Sequence, residues 1–322
     1  MNKFVALILV ALSLCETALA QTPAFPVKTI RLVVAYPPGG TADVLSRAIA
    51  EGLSQRLGQR VVVENKPGAN GNIAADLVAK SPADGYTLLM TAPGPLAVNA
   101  NLYATLPFDP ATAFAPVSLA GVAPLLLVVP ASLPVRNLKE LLDYAKANPY
   151  KVTFASQGNA SSGHLTMELL KARTGMQAAH VPYKGSAPAL NDLLAGHVTM
   201  MFDNTTSSLP LVRGGTLRAI AVAEEKRLIA TPDIPTVAEQ GVLGFVATPW
   251  FGIVTTAGTP GAVVDKLSAA INETLRTPAA QARFLEMGVE LRPNSPQAFE
   301  RYISAETVKW KEVVRVSGAK LD

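Results

Sequence analysis

Two segments of the chain, about 120 residues apart, each run from an apolar stretch through a glycine-bearing turn into a helical pattern. In the first, Ile30-Arg31-Leu32-Val33-Val34-Ala35 leads into Tyr36-Pro37-Pro38-Gly39-Gly40-Thr41-Ala42-Asp43. Val44, Leu45, Ala48, Ile49 and Leu53 then recur at helical spacing. In the second, Val152-Thr153-Phe154-Ala155 leads into Ser156-Gln157-Gly158-Asn159-Ala160-Ser161-Ser162-Gly163-His164, followed by Leu165, Leu169 and Leu170. A strand that ends on such a turn and opens a helix fixes how the layers of a fold connect. Glycine lets backbone N–H groups face outward, and the start of a helix adds the positive end of its dipole. Each unit is therefore suited to hold an anion. Ser161 or Ser162 would cap the second helix, with hydroxyls free to donate. One such loop is what any α/β turn looks like; two facing each other from different blocks point to binding.

Apolar runs alternate with helical periods along the rest of the chain. The pattern predicts strands near 28–35, 60–64, 86–91, 151–155, 178–181, 198–203, 216–222 and 250–255. It predicts helices over 41–57, 71–80, 137–147, 162–173, 186–195, 206–213, 260–276, 278–287 and 296–315. Such alternation argues for parallel sheets with helices on both faces, an α/β architecture. About 300 residues exceed a usual single core, so two blocks are expected. Val117–Leu127 is long enough to be one strand crossing between them, and the Pro- and Gly-rich run Pro232–Pro249 carries the chain back. The expected division places 21–122 and 246–322 in one lobe and 123–245 in the other. The ligand cleft lies between the lobes, beyond the carboxyl ends of the strands, and the two crossings form the hinge.

The first twenty residues read as a cleavable secretory signal: Met1-Asn2-Lys3, an apolar run from Phe4 to Leu14, then Ala18-Leu19-Ala20. The run is too short for a membrane anchor, and Leu14 before Cys15 argues against lipidation. Cleavage after Ala20 removes Cys15, the single cysteine. Disulfides, thiolate nucleophiles and cysteine metal sites are then excluded from the mature protein. A formal charge of +4, 6% aromatics and the lack of a basic stripe exclude nucleic acid as a partner.

Enzyme signatures are missing. G-x-G-x-x-G, G-x-x-x-x-G-K-[ST] and G-x-S-x-G do not occur. His164, His180 and His197 lie about 16 residues apart without carboxylates at ligand spacing, so no metal site is expected. The helix dipole disfavours a charged His164, which suits a neutral hydrogen-bonding role. His180 and His197 flank strands and read as structural. Other strand ends add candidates: Thr91 and Ala92 close one strand, Tyr183 and Lys184 another. Asp203 closes a third, where it would accept from a ligand or cap the following helix. A helix N-terminus stabilises an anion by up to ~2 kcal/mol, and each charge-assisted hydrogen bond adds roughly 1.5–3 kcal/mol. A micromolar ligand needs about 8 kcal/mol, which two lobes closing together supply more readily than one.

The run Tyr36 to Asp43 resembles the first-loop signature of the tripartite tricarboxylate transporter receptor family, the Bug proteins. Val63-Glu64-Asn65-Lys66-Pro67-Gly68-Ala69, Pro82-Ala83-Asp84-Gly85-Tyr86-Thr87-Leu88 and Val181-Pro182-Tyr183-Lys184-Gly185 continue the resemblance. So do Pro232-Asp233-Ile234-Pro235-Thr236 with Glu239-Gln240-Gly241, and Trp250-Phe251-Gly252 with Gly258-Thr259-Pro260. These segments span nearly the whole mature chain in family order. The resemblance implies a two-lobed, type II periplasmic binding-protein fold and a receptor that delivers a small carboxylate to a membrane transporter. It implies that Pro38 to Asp43 hold a ligand carboxylate through backbone groups and bridging waters, and that Ser156 to His164 hold the other end. Gln157, Asn159 and Ala160 depart from a loop that is often simpler and richer in Gly and Ser. Thr248-Pro249 before Trp250 is a second departure.

The expected ligand-binding set is Pro38, Gly39, Gly40, Thr41, Asp43, Thr91, Ala92, Ser156, Gly158, Ser161, Ser162, His164, Tyr183, Lys184 and Asp203. No catalytic residue, metal or cofactor is expected. The resulting picture is a monomeric periplasmic receptor for a di- or tricarboxylate, an acidic amino acid or an aromatic acid, meeting membrane transporter subunits transiently. Two other readings stay open: a module that presents its closed form to a signalling partner, and an exported acid-processing enzyme with His164 and Asp203 as acid–base pair.

Overall fold

A computed structural model describes residues 25–319. The signal segment, its cleavage at Ala20 and Cys15 lie outside the described residues. The chain opens with β1 (Ile30–Val34), α1 (Thr41–Leu57), β2 (Val61–Asn65), α2 (Asn72–Ala79), β3 (Thr87–Thr91) and β4 (Phe114–Val122). It continues through β5 (Leu125–Pro130), α3 (Leu138–Ala147), β6 (Thr153–Ser156), α4 (Ser162–Thr174) and β7 (Ala179–Pro182). Next come α5 (Ser186–Leu194), β8 (Met200–Asn204), α6 (Thr205–Arg213) and β9 (Leu217–Val222). It ends with β10 (Trp250–Thr256), α7 (Gly261–Leu275), α8 (Pro278–Glu286), β11 (Glu290–Leu291) and α9 (Pro296–Ser317).

These elements build two sheets, one per lobe, in the orders β11-β4-β10-β3-β1-β2 and β7-β6-β8-β5-β9. The first lobe's β1 pairs in parallel with β2 and β3, and the second lobe's β6 in parallel with β7 and β8. The expectation of parallel sheets needs correction at β10, which runs antiparallel to β3 and β4, at the short edge strand β11, antiparallel to β4, and at β5, antiparallel to β8 and β9. For β5 and β10 the physical reason is the crossing itself. Parallel strands end at the cleft, so a chain arriving from the other lobe starts its strand there and must run the opposite way.

The expected single crossing strand is two strands, β4 ending at Val122 and β5 starting at Leu125. Between them, Pro124 has no N–H to give a ladder, so the chain changes sheets across Ala123 and Pro124. The return crossing lies alongside: Ala123 N donates to Pro249 O and Ala247 N to Ala223 O, both at 3.1 Å.

Helix stripes supply the core. Leu45, Ile49 and Leu53 of α1 are fully buried with Leu267, Ile271 and Leu275 of α7 over the first sheet, each side chain contributing roughly 1.5–3 kcal/mol. The long α9 packs against both β4 and α4. Its Phe299 and Trp310 belong to a buried cluster that includes Val33 and Leu89 of the first sheet and Phe154 and Met200 of the second. Side-chain caps start four helices: Asn137 for α3, Ser161 for α4, Thr277 for α8 and Ser295 for α9. The two-residue β11 lies outside the predicted strands, being too short to leave a periodic signal.

Candidate functional site

Turns after β1, β2, β3, β6, β7 and β8 line one cavity of about 1290 Å³ between the lobes. On the first lobe, Pro38, Gly39, Gly40, Thr41 and Ala42 face it. Gly39 adopts φ 81, a left-handed conformation that favours glycine. Gly40 is the N-cap of α1 in extended backbone, with no side-chain cap. The first turn of α1 therefore presents its N–H groups toward the cavity, where a ligand can satisfy them.

Asp43 does not line the cavity. It is buried behind the turn, where Gly39 N donates to its Oδ2 (2.9 Å) and Asn65 Nδ2 to its Oδ1 (3.0 Å). Arg47 adds two further bonds. Burial opposes the charge, but Arg47, Gly39 and Asn65 together hold this carboxyl below its ordinary range. Asp43 staples the turn from behind. Thr91 is likewise buried, its hydroxyl donating to Ala92 O at 3.1 Å, and only Ala92 reaches the cavity.

On the second lobe, Gly158, Ser161, Ser162, Tyr183 and Lys184 line the cavity. Ser161 is the N-cap, its hydroxyl accepting from His164 N at 3.3 Å. Ser156 and His164 are not among the lining residues and bond within the loop. Ser156 Oγ accepts from Gly158 N at 3.2 Å and lies 2.6 Å from His180 Nε2. His164 Nδ1 accepts from Ala160 N at 3.0 Å, which places the ring proton on Nε2. Burial, then the neighbouring His180 and Lys171, push His164 down to about 3; burial and Lys171 bring His180 to about 4. His164 is thus neutral and hydrogen-bonding, and His180 supports the same loop.

Asp203 is fully buried and also outside the cavity lining. Its Oδ1 accepts from Ser186 Oγ (2.6 Å) and Gln157 Nε2 (2.7 Å), and its Oδ2 from Ser207 Oγ (2.7 Å). Burial raises its pKa against the opposing pull of these donors. The carboxylate gathers the starts of α5 and α6, neither of which has its own side-chain cap, onto the loop after β6. His164 and Asp203 both lie outside the lining of the cavity.

Tyr183 donates its hydroxyl to Asp192 Oδ2 at 2.6 Å. Burial and that partner push its pKa up to about 12. Lys184 is the one charged side chain among the described lining residues. Sequence reasoning missed Asn70, Ser186, Asn204, Ser207 and the aromatic walls Tyr36, Tyr103 and Phe251. For Asn70 a local signal existed, since Gly68-Ala69-Asn70-Gly71 reads as a turn, and Asn70 takes φ 49 there. Among the described residues no group of three His, Cys, Asp or Glu side chains is placed to hold a metal ion. The cavity offers neutral donors, uncapped helix starts and a single cation, an arrangement matched to an anion of low charge.

The profile of the family described as the tripartite tricarboxylate transporter family receptor matches residues 45–319. Protein BugT of Bordetella pertussis is 40% identical over 298 residues, covering 92% of this chain and 91% of BugT. A solved R. palustris protein with adipate shares 40% identity at a TM-score of 0.89, covering 92% of this chain and all of that one. MatC from Rhodopseudomonas palustris with bound malate shares 31% identity at a TM-score of 0.85, covering 90% and 100%. The paired jaws, the two mixed sheets and these likenesses coincide: the chain belongs to the tripartite tricarboxylate transporter receptor family, the Bug proteins.

Proposed function

We propose that this receptor binds a small carboxylate in the interlobe cavity, within the classes of dicarboxylate, tricarboxylate, acidic amino acid or aromatic acid. The carrying observation is the uncapped start of α1 at Gly39–Thr41, facing the Gly158–Ser162 loop across the cleft. One carboxylate sits against the first jaw, and the remainder of the ligand meets Gly158, Ser161, Ser162, Tyr183 and Lys184. The lobes divide at 122/123 and 245/246, with the crossings as hinge. Residues 1–20 direct export, and the mature monomer works in the periplasm, handing its ligand to transporter membrane subunits. It performs no chemistry on the ligand. The adipate and malate of the solved relatives support the ligand class.

Calorimetry of ligand-stripped protein against mono-, di- and tricarboxylates, acidic amino acids and aromatic acids tests the reading. Saturable one-to-one binding of at least one class is the expected result. Silence across the panel would overturn it.

A further inference from the structure

We propose that Asn70 and Thr206 are positioning residues of the binding cycle: they bond the two lobes directly across the cleft, so closure is driven in part without a ligand. Thr41 opens α1 of the first lobe and Thr206 lies in the first turn of α6 of the second. Their hydroxyl oxygens are 2.5 Å apart, one donating to the other. Asn70 Nδ2 of the first lobe donates to Ala160 O of the second at 3.0 Å. Ala160 stands in the left-handed region at φ 59, within the second jaw.

The Asn70 amide is braced. The same Nδ2 donates to Asn99 Oδ1 at 2.8 Å, and fully buried Asn99 donates back to Asn70 O at 3.2 Å and to Asn72 Oδ1 at 2.6 Å. A donor held this way gives up little side-chain freedom when it meets its partner. The lobes also touch where Gly185 faces Pro37, close enough that a Cβ on Gly185 would lie 3.3 Å from Pro37 Cγ. Separating the jaws breaks both hydrogen bonds, and neither bond includes a ligand atom. A net hydrogen bond shifts the closed-to-open ratio by about three- to tenfold, and apparent affinity follows the closed fraction. The inference rests on the two-lobed fold and does not depend on which ligand binds.

Small-angle scattering and the distance between dyes on the two lobes, both on ligand-free protein, test it. Thr206→Val removes one bond, and Asn70→Gly removes the other while tolerating the positive φ. Each variant is expected to lower the closed-to-open ratio about three- to tenfold, with a larger radius of gyration, and the double variant to open further. Thr206→Ser keeps the hydroxyl and is expected to behave as wild type. Equal ligand-free compactness in wild type and the double variant would overturn the proposal, as would opening by Thr206→Ser equal to that by Thr206→Val. Because no ligand enters these measurements, a failed carboxylate panel leaves them readable.

Discussion

The imidazoles of His164 and His180 stack with ring centroids 3.9 Å apart and planes within 10° of parallel. Phe154 continues the stack at 4.7 Å from His180, and Lys171 Nζ lies 5.2 Å from the Phe154 ring centre. Glu168 completes the surroundings, 2.8 Å from Lys171 and 3.9 Å from His164 Nε2. Two rings this close, partly buried and beside a cation, disfavour protonation of either. The neutral His164 then accepts Ala160 N–H and Ser156 meets His180, so the second jaw takes its shape from two uncharged imidazoles.

Acid should therefore weaken the fold. Both histidines titrate lower in the folded protein, near 3 and 4, than the ordinary 6.5. Between those limits the unfolded chain binds protons that the native chain does not, so stability falls as pH drops through about 6.5. The loss levels off once the native rings protonate near 4 and 3. Calorimetric melting from pH 7 to 4 measures the slope. His180→Phe, which keeps the aromatic stack, is expected to flatten it by about one proton. Equal slopes for the variant and wild type would show that the rings do not govern acid sensitivity.

Gly40→Val separates binding from folding. Gly40 has φ −80 and ψ 173, open to any residue, and a Cβ there meets only Pro37 O at 3.8 Å. Loss of the glycine N-cap is expected to cost no more than about 1 kcal/mol, while the valine side chain obstructs backbone approach to the start of α1. Calorimetry should register lost binding with a nearly unchanged melting midpoint. A variant that unfolds would make Gly40 a structural glycine; one that binds normally would place the anion elsewhere.

The first jaw was legible because strand, glycine turn and helix are contiguous, so local rules of backbone and dipole place Pro38 to Thr41 without tertiary information. Ser161 and Gly158 were legible for the same reason. Asp43, Thr91, Ser156, His164 and Asp203 carry the right chemistry at the right strand ends. Sequence does not reveal whether such a side chain points at the cavity or back into its own loop. That choice depends on partners distant in the chain, such as Asn65 for Asp43 and Ser186 for Asp203. The antiparallel β5 and β10 were hidden similarly, since strand direction follows from where the chain enters a sheet. Asn70 finds its partner in Ala160, ninety residues on.

Lys184→Met is expected to weaken carboxylate binding about two- to fivefold at low ionic strength, a modest loss because the side chain is solvent-exposed. Wild-type affinity should fall as salt rises, through screening over about 10 Å at 0.1 M. The variant should respond less. Calorimetry at 20 and 300 mM salt, about a fourfold change in Debye length, reads the difference. Identical salt dependence in both proteins would remove Lys184 from the ligand's field.

Asp203 provides the sharpest test of how the second lobe is held together. Every side-chain contact of its carboxylate is a donor: Ser186, Ser207 and Gln157. An ionised carboxylate satisfies all three, because it accepts at both oxygens and donates at neither. Asp203→Asn keeps the shape but turns an amide NH₂ toward at least one donor, which is expected to cost about 1–3 kcal/mol. Asp203→Ala leaves the donors without an acceptor and opens a hole, with an expected loss above the roughly 1–3 kcal/mol of a single unsatisfied buried group. The melting order should be wild type, then Asn, then Ala. Ligand affinity should drop in the folded Asn variant as well, because Gln157, Ser186 and Ser207 all line the cavity that Asp203 itself does not reach. If Asp203→Asn melts and binds like wild type, the carboxyl is protonated in the native state and donates a hydrogen bond to one of the serine oxygens. The buried group would then be a neutral bracket, and the second jaw would owe its geometry to packing.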